Sequence, residues 1–122
     1  MKTIFIVDDN ETNLETARLL LEDKHKVYAM TSAARMFTLI EKIRPDLILL
    51  DLDMPNMTGY EAMEQLKNSE KNADIPVIFL TAIKKHDDVV MGIKTGVVSY
   101  IIKPYHKELL LSQVEWVLNR PT

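Results

Sequence analysis

The feature that most constrains this chain is a set of short runs that are apolar at every position. Residues 4–7, 47–50 and 75–80 are built from Ile, Val, Leu and Phe with no polar residue among them, a proline at 76 aside. Runs of this length and composition read as strands. A strand with one face in water alternates polar and apolar residues. A strand apolar on both faces must be covered on both, as in a parallel sheet between two layers of helices. Residues 27–30 and 97–102 are weaker and mixed, as strands near a sheet edge are.

The intervening stretches change period. Leu14, Ala17, Leu20 and Leu21 recur at helical spacing, with Thr12 and Glu15 placed for a capping box. Met36, Leu39, Ile40 and Ile43 repeat the spacing after Ser32, a candidate N-cap, and Pro45 stops that helix. Tyr60, Met63 and Leu66 carry a third helix. Val89, Val90 and Ile93 carry a fourth, ended by Gly96. Leu109, Leu110, Val114, Val117 and Leu118 carry a fifth, closed by Pro121. Strand and helix thus alternate five times. The predicted fold is α/β: one five-stranded parallel sheet, doubly wound as (βα)5, with right-handed crossovers. The 122 residues, 1–122, make a single domain without a linker or low-complexity tract.

Composition removes several classes of function. Fifteen basic against 18 acidic residues give a net charge of −3, which leaves no electrostatic footprint for nucleic acid or an anionic membrane. The absence of cysteine excludes disulfide scaffolds, thiolate metal sites and thiol nucleophiles. The apolar runs are far short of the ~18 residues that span a bilayer. The N-terminus meets Asp8 and Asp9 too soon for a secretory signal, so the expected location is the cytoplasm.

In an open parallel sheet, function gathers at the carboxyl ends of the strands. Asp8 and Asp9 follow the first strand here, and Asp51, Leu52 and Asp53 the third. Thr81 follows the fourth, and Lys103 and Pro104 the fifth. Taken singly, an Asp after a strand is usually a turn residue and a Lys-Pro is solvated surface. Their coincidence at four strand ends of one small sheet is different. Carboxylates crowded into one cleft repel unless a cation joins them. Oxygen ligands without His or Cys suit a hard divalent ion, Mg2+ or Mn2+ in its place. Lys103 offers a positive charge and Thr81 a hydroxyl for an anion. The set describes phosphoryl transfer onto a carboxylate, with Asp51 as nucleophile.

These residues resemble the receiver domain of two-component response regulators. The likeness runs through Ile6-Val7-Asp8-Asp9-Asn10, then Leu49-Leu50-Asp51-Leu52-Asp53-Met54-Pro55-Asn56-Met57-Thr58-Gly59, then Leu80-Thr81-Ala82, then Tyr100 through Pro104, and covers residues 2 to about 119. The resemblance implies the flavodoxin-like strand order 2-1-3-4-5. It implies that Asp51 is the phosphoacceptor and that Asp9 and Asp51 ligate Mg2+ directly. Asp53 would add its backbone carbonyl, and Asp8 would act through a water. Thr81 and Lys103 would bind the phosphoryl oxygens, Tyr100 would be the rotamer switch coupled to Thr81, and the Lys103-Pro104 bond would be cis. The implied partners are a sensor histidine kinase or phosphotransfer protein and an output protein or domain. That output would respond to the surface of the fourth helix, fifth strand and fifth helix.

Two departures from the family pattern stand out. Gly96-Val97-Val98-Ser99-Tyr100 lacks the acid common ahead of the fifth strand, and Gln113-Val114-Glu115-Trp116-Val117 lacks a matching base. The charged dimer of many regulators is therefore not expected, and a monomer or weak dimer is. Met91 and Val98 instead add apolar surface. Tyr105, where phenylalanine is common, reads as a mild change without effect on the chemistry. His25, His86 and His106 read as surface residues. The alternative function is a phosphatase resembling the haloacid dehalogenase class, with Asp51 and Asp53 as an Asp-x-Asp pair. That motif normally follows the first strand, and turnover of an external phosphomonoester is expected to be absent. A contact module that is never phosphorylated would have lost an acid, Thr81 or Lys103, and this chain keeps them all.

Overall fold

The structure is a computed structural model that describes residues 1–82 and 96–120. Five strands, β1 (Thr3–Val7), β2 (Lys26–Met30), β3 (Leu47–Asp51), β4 (Val77–Thr81) and β5 (Ser99–Ile102), form one parallel sheet. Its order is β2-β1-β3-β4-β5, as the resemblance implied. The described helices are α1 (Glu11–Leu21), α2 (Ala33–Ile40), α3 (Gly59–Lys67) and α4 (Lys107–Leu118). The helical stretch at Val89, Val90 and Ile93 lies outside the described residues, as do His86, Met91 and Pro121.

The doubly apolar strands divide their side chains between two cores. Ile4, Ile6, Leu47, Leu49, Ile78 and Leu80 face one side, where Leu14, Ala17 and Leu21 of α1 meet Leu110, Val114 and Val117 of α4. Phe5, Val7, Ile48, Leu50, Val77 and Phe79 face the other, against Ala33, Met36 and Ile40 of α2 and Ala62, Met63 and Leu66 of α3. Every residue of β3 and β4 is buried. Full burial of one such side chain contributes about 1.5–3 kcal/mol, so neither helix layer is dispensable.

Several boundaries differ from the sequence expectation, each for a local reason. The capping box at Thr12 and Glu15 does not form. The helix starts earlier, with Asn10 as N-cap accepting the Asn13 amide at 3.0 Å, and Glu15 instead pairs with Arg18. A capping box does form at Thr58 and Glu61. Ser32 caps α2 as expected, but α2 ends at Ile40, well before Pro45. β4 begins at Val77 because Pro76 has no N–H to donate, and the Ile75 amide turns back to the Asn72 carbonyl. His25 is not a surface residue. It is only 9% exposed, with Nε2 3.5 Å from Glu115 Oε2 of α4. His106, the N-cap of α4, is exposed as expected.

Strand order reverses at β1, since β2 lies on one side of it and β3 on the other. The chain therefore leaves β1 and β3 in opposite directions, which opens a crevice at their carboxyl ends. The acidic residues stand there.

Candidate functional site

Asp8 directly follows β1, and its amide extends the ladder to the Met30 carbonyl at 3.0 Å. Asp51 ends β3, and the Leu52 amide beyond it bonds to the Leu80 carbonyl at 3.0 Å. The sheet thus holds both acids at their backbones. Asp8 is fully buried, Asp51 is 1% exposed, and Asp9 faces solvent. Carboxylate oxygens of Asp8, Asp9 and Asp51 lie within 4.8 Å of one another, the one such acidic group among the described residues.

Each buried acid is tethered by an amide two residues on. The Asn10 N–H donates to Asp8 Oδ1 at 2.9 Å, and the Asp53 N–H donates to Asp51 Oδ1 at 3.1 Å. Lys103, just past β5, reaches back between them. Its Nζ is 2.9 Å from Asp8 Oδ2 and 3.1 Å from Asp51 Oδ1. The Lys103 amide donates to the Thr81 carbonyl at 2.8 Å, which joins the ends of β4 and β5. The Lys103-Pro104 peptide is cis. Thr81 is buried at the end of β4. Tyr100 pairs in register with Phe79 and is 43% exposed, on the opposite face of β5 from buried Ile101.

Burial pushes the Asp51 carboxyl up to about 6. The Asp53 amide opposes that rise, the charge of Asp8 adds to it, and the Lys103 ammonium offsets part of it. Burial also works to discharge Lys103. The hydrogen bond that Lys103 donates to Asp8 and the charges of both acids outweigh it, and the ammonium holds its proton more firmly than usual.

The loop after Asp51 is folded back tightly. The Gly59 amide donates to the Leu52 carbonyl at 3.1 Å, the Met57 amide to the Pro55 carbonyl at 2.8 Å, and Asn56 takes a φ of 71°. A Cβ on Gly59 would lie 2.5 Å from the Asp51 carbonyl oxygen, so only glycine fits. Asp53 itself is exposed and stands outside the acidic group; its backbone amide is the part that reaches Asp51. An Asp-x-Asp acid pair therefore does not converge here, contrary to what the phosphatase reading needs.

One contact in the site is not expected from the sequence. The Tyr105 hydroxyl donates to Asp8 Oδ2 at 3.1 Å, a contact that a phenylalanine could not make. Burial and the nearby Asp8 charge raise its phenol above the ordinary range, so it remains a donor. The only signal in the sequence was a hydroxyl-bearing ring two residues past Lys103.

Three oxygen-bearing acids with one lysine fit a hard divalent cation in their donor chemistry. No helix among the described residues is long and apolar enough to cross a membrane.

A family model described as the response regulator receiver domain matches residues 4–115. A Vibrio cholerae protein named as a probable cyclic di-GMP phosphodiesterase is 37% identical over 112 residues, 92% of this chain and 25% of its own length. Protein PilH of Pseudomonas aeruginosa is 33% identical over 119 residues, 97% of this chain and 98% of PilH. Several other curated relatives are transcriptional regulators, and the chain spans about half of their length. The signal receiver domain of a histidine kinase from Syntrophus aciditrophicus superposes with a TM-score of 0.89 at 31% identity, covering 100% of this chain and 96% of that one. With this strand order, these acids at the strand ends and residues 4–115 matched, the chain belongs to the response regulator receiver domain family of two-component signalling.

Proposed function

We propose that the chain is a phosphorylation-activated switch in which Asp51 accepts a phosphoryl group from a phosphohistidine. The donor is a sensor histidine kinase or a phosphotransfer protein, and the domain acts as one unit over residues 1–122 in the cytoplasm. The observation that carries this reading is the Lys103 ammonium set between Asp8 and Asp51, at 2.9 and 3.1 Å, beside a third acid. A buried carboxylate with a lysine at hydrogen-bond distance is both a nucleophile and half of an anion site.

In this mechanism an Asp51 oxygen attacks phosphorus and the P–N bond breaks. The bonding pair leaves with the imidazole nitrogen. Lys103 turns its ammonium to a phosphoryl oxygen, and Thr81 donates its hydroxyl to another. Asp9, Asp51 and the Asp53 carbonyl would hold Mg2+ or Mn2+, with Asp8 acting through a water, and the bound ion would supply positive charge against the phosphoryl oxygens. Tyr100 then turns inward beside Thr81, and the surface around β5 and the flanking helices changes. That is a population shift between two arrangements of one fold. The output is a partner protein or domain that reads this surface, and an external phosphomonoester is not turned over.

Intact mass after incubation with acetyl phosphate, in Mg2+ or in EDTA, tests the proposal. A metal-dependent gain of one phosphoryl group in the wild type, absent in Asp51→Asn, is expected. Equal labelling of Asp51→Asn would refute Asp51 as the acceptor.

A further inference from the structure

Building on the metal-site reading above, we infer that Tyr105 is a positioning residue whose hydroxyl fixes the Asp8 carboxylate for metal binding, independently of Lys103. Asp8 is fully buried, so its oxygens depend on protein donors. Oδ1 takes the Asn10 amide at 2.9 Å. Oδ2 takes two donors, Lys103 Nζ at 2.9 Å and the Tyr105 hydroxyl at 3.1 Å. These donors differ in permanence. The Lys103 ammonium sits on a flexible stem and is already shared with Asp51 Oδ1 at 3.1 Å. In the proposed reaction it turns to the phosphoryl group. A carboxylate held at Oδ1 alone then swings about its Cβ–Cγ bond.

The Tyr105 ring prevents that. It packs against the core between α1 and α4, and it has two rotatable bonds where lysine has four. Its hydroxyl is therefore a fixed donor on the oxygen opposite the Asn10 amide. Asp8 is held at both ends whether or not Lys103 is present. The position keeps one Oδ2 lone pair occupied and leaves the one that Lys103 vacates free for a metal-bound water.

A double-mutant cycle on the full chain tests this, with Tyr105→Phe, Asp8→Ala and the pair compared with wild type. Mg2+ affinity is measured by titration calorimetry, with the cycle repeated in a Lys103→Ala background that removes the other Oδ2 donor, and urea unfolding in EDTA verifies the fold of each variant. Tyr105→Phe keeps the ring and removes one oxygen. It is expected to raise the Mg2+ Kd about 3- to 10-fold, the range for the net contribution of one ordinary hydrogen bond. In the Asp8→Ala background the same substitution should change Kd by less than about twofold, because the carboxylate it acts through is gone. An unchanged Kd in Tyr105→Phe, or an equal loss in both backgrounds, would overturn the inference. So would absence of Mg2+ binding by the wild type. The titration contains no phosphodonor, so failure of Mg2+-loaded wild type to accept a phosphoryl group would refute the proposed function and leave the role of Tyr105 standing.

Discussion

Without metal, Asp51 opposes the folded state at neutral pH. Its carboxyl is pushed up to about 6, from an ordinary 3.8, chiefly by burial. Between about pH 4 and pH 6 the folded domain holds a proton that the unfolded chain has released. Stability therefore falls as pH rises through that window and stays lower above it. At 1.36 kcal/mol per unit, a difference of about 2 units costs about 3 kcal/mol at pH 7.5. At pH 4.5 the folded carboxyl is protonated and the unfolded one only partly ionised, so the cost is about 1 kcal/mol. Asp51→Asn removes the charge and keeps an oxygen for the Asp53 amide and the Lys103 ammonium. Urea unfolding in EDTA should show Asp51→Asn more stable than wild type by about 3 kcal/mol at pH 7.5 and by about 1 kcal/mol at pH 4.5. The dependence on pH is the diagnostic part. A variant less stable than wild type at pH 7.5 would refute the reasoning, because the Lys103 contact would then outweigh the burial cost. An equal gain at both pH values would refute it too, since the gain would not come from ionisation.

Asp9→Ala removes an exposed acid from the group, so it should weaken Mg2+ binding by at least about tenfold in calorimetry while moving the metal-free urea midpoint little. An unchanged titration would remove Asp9 from the metal site. Gly59→Ala places a methyl 2.5 Å from the Asp51 carbonyl oxygen and 2.8 Å from Leu52 Cα. It should lower unfolding free energy by about 1–3 kcal/mol or more, read by urea unfolding; wild-type stability would mean that the loop gives way instead.

Much of this architecture is legible in the sequence because a parallel strand must be apolar on both faces. Residues 47–50 announce β3 and its burial directly, and the acids at strand ends follow from the same alternation. Cap choice was less legible. Thr12 and Glu15 satisfy the capping-box pattern, yet Asn10 comes first after the acid pair and starts the helix. His25 was misread because Asp23 and Lys24 beside it look like surface, whereas burial is decided by α4, about 90 residues away in sequence. The Tyr105 contact is hidden in the sequence for a related reason. The hydroxyl meets Asp8, 97 residues distant in sequence, and a likeness built on short motifs does not carry that pairing.

The paired amide tethers have a consequence in spectroscopic terms. The Asn10 amide touches one oxygen of Asp8, and the Asp53 amide touches one oxygen of Asp51. Each N–H proton is deshielded by the charge of one carboxylate, so its chemical shift follows that acid separately. Protonation, cation binding or esterification of Asp51 moves the Asp53 resonance first, while events at Asp8 move that of Asn10. The domain thus carries two native reporters on neighbouring charges, with no label attached to either.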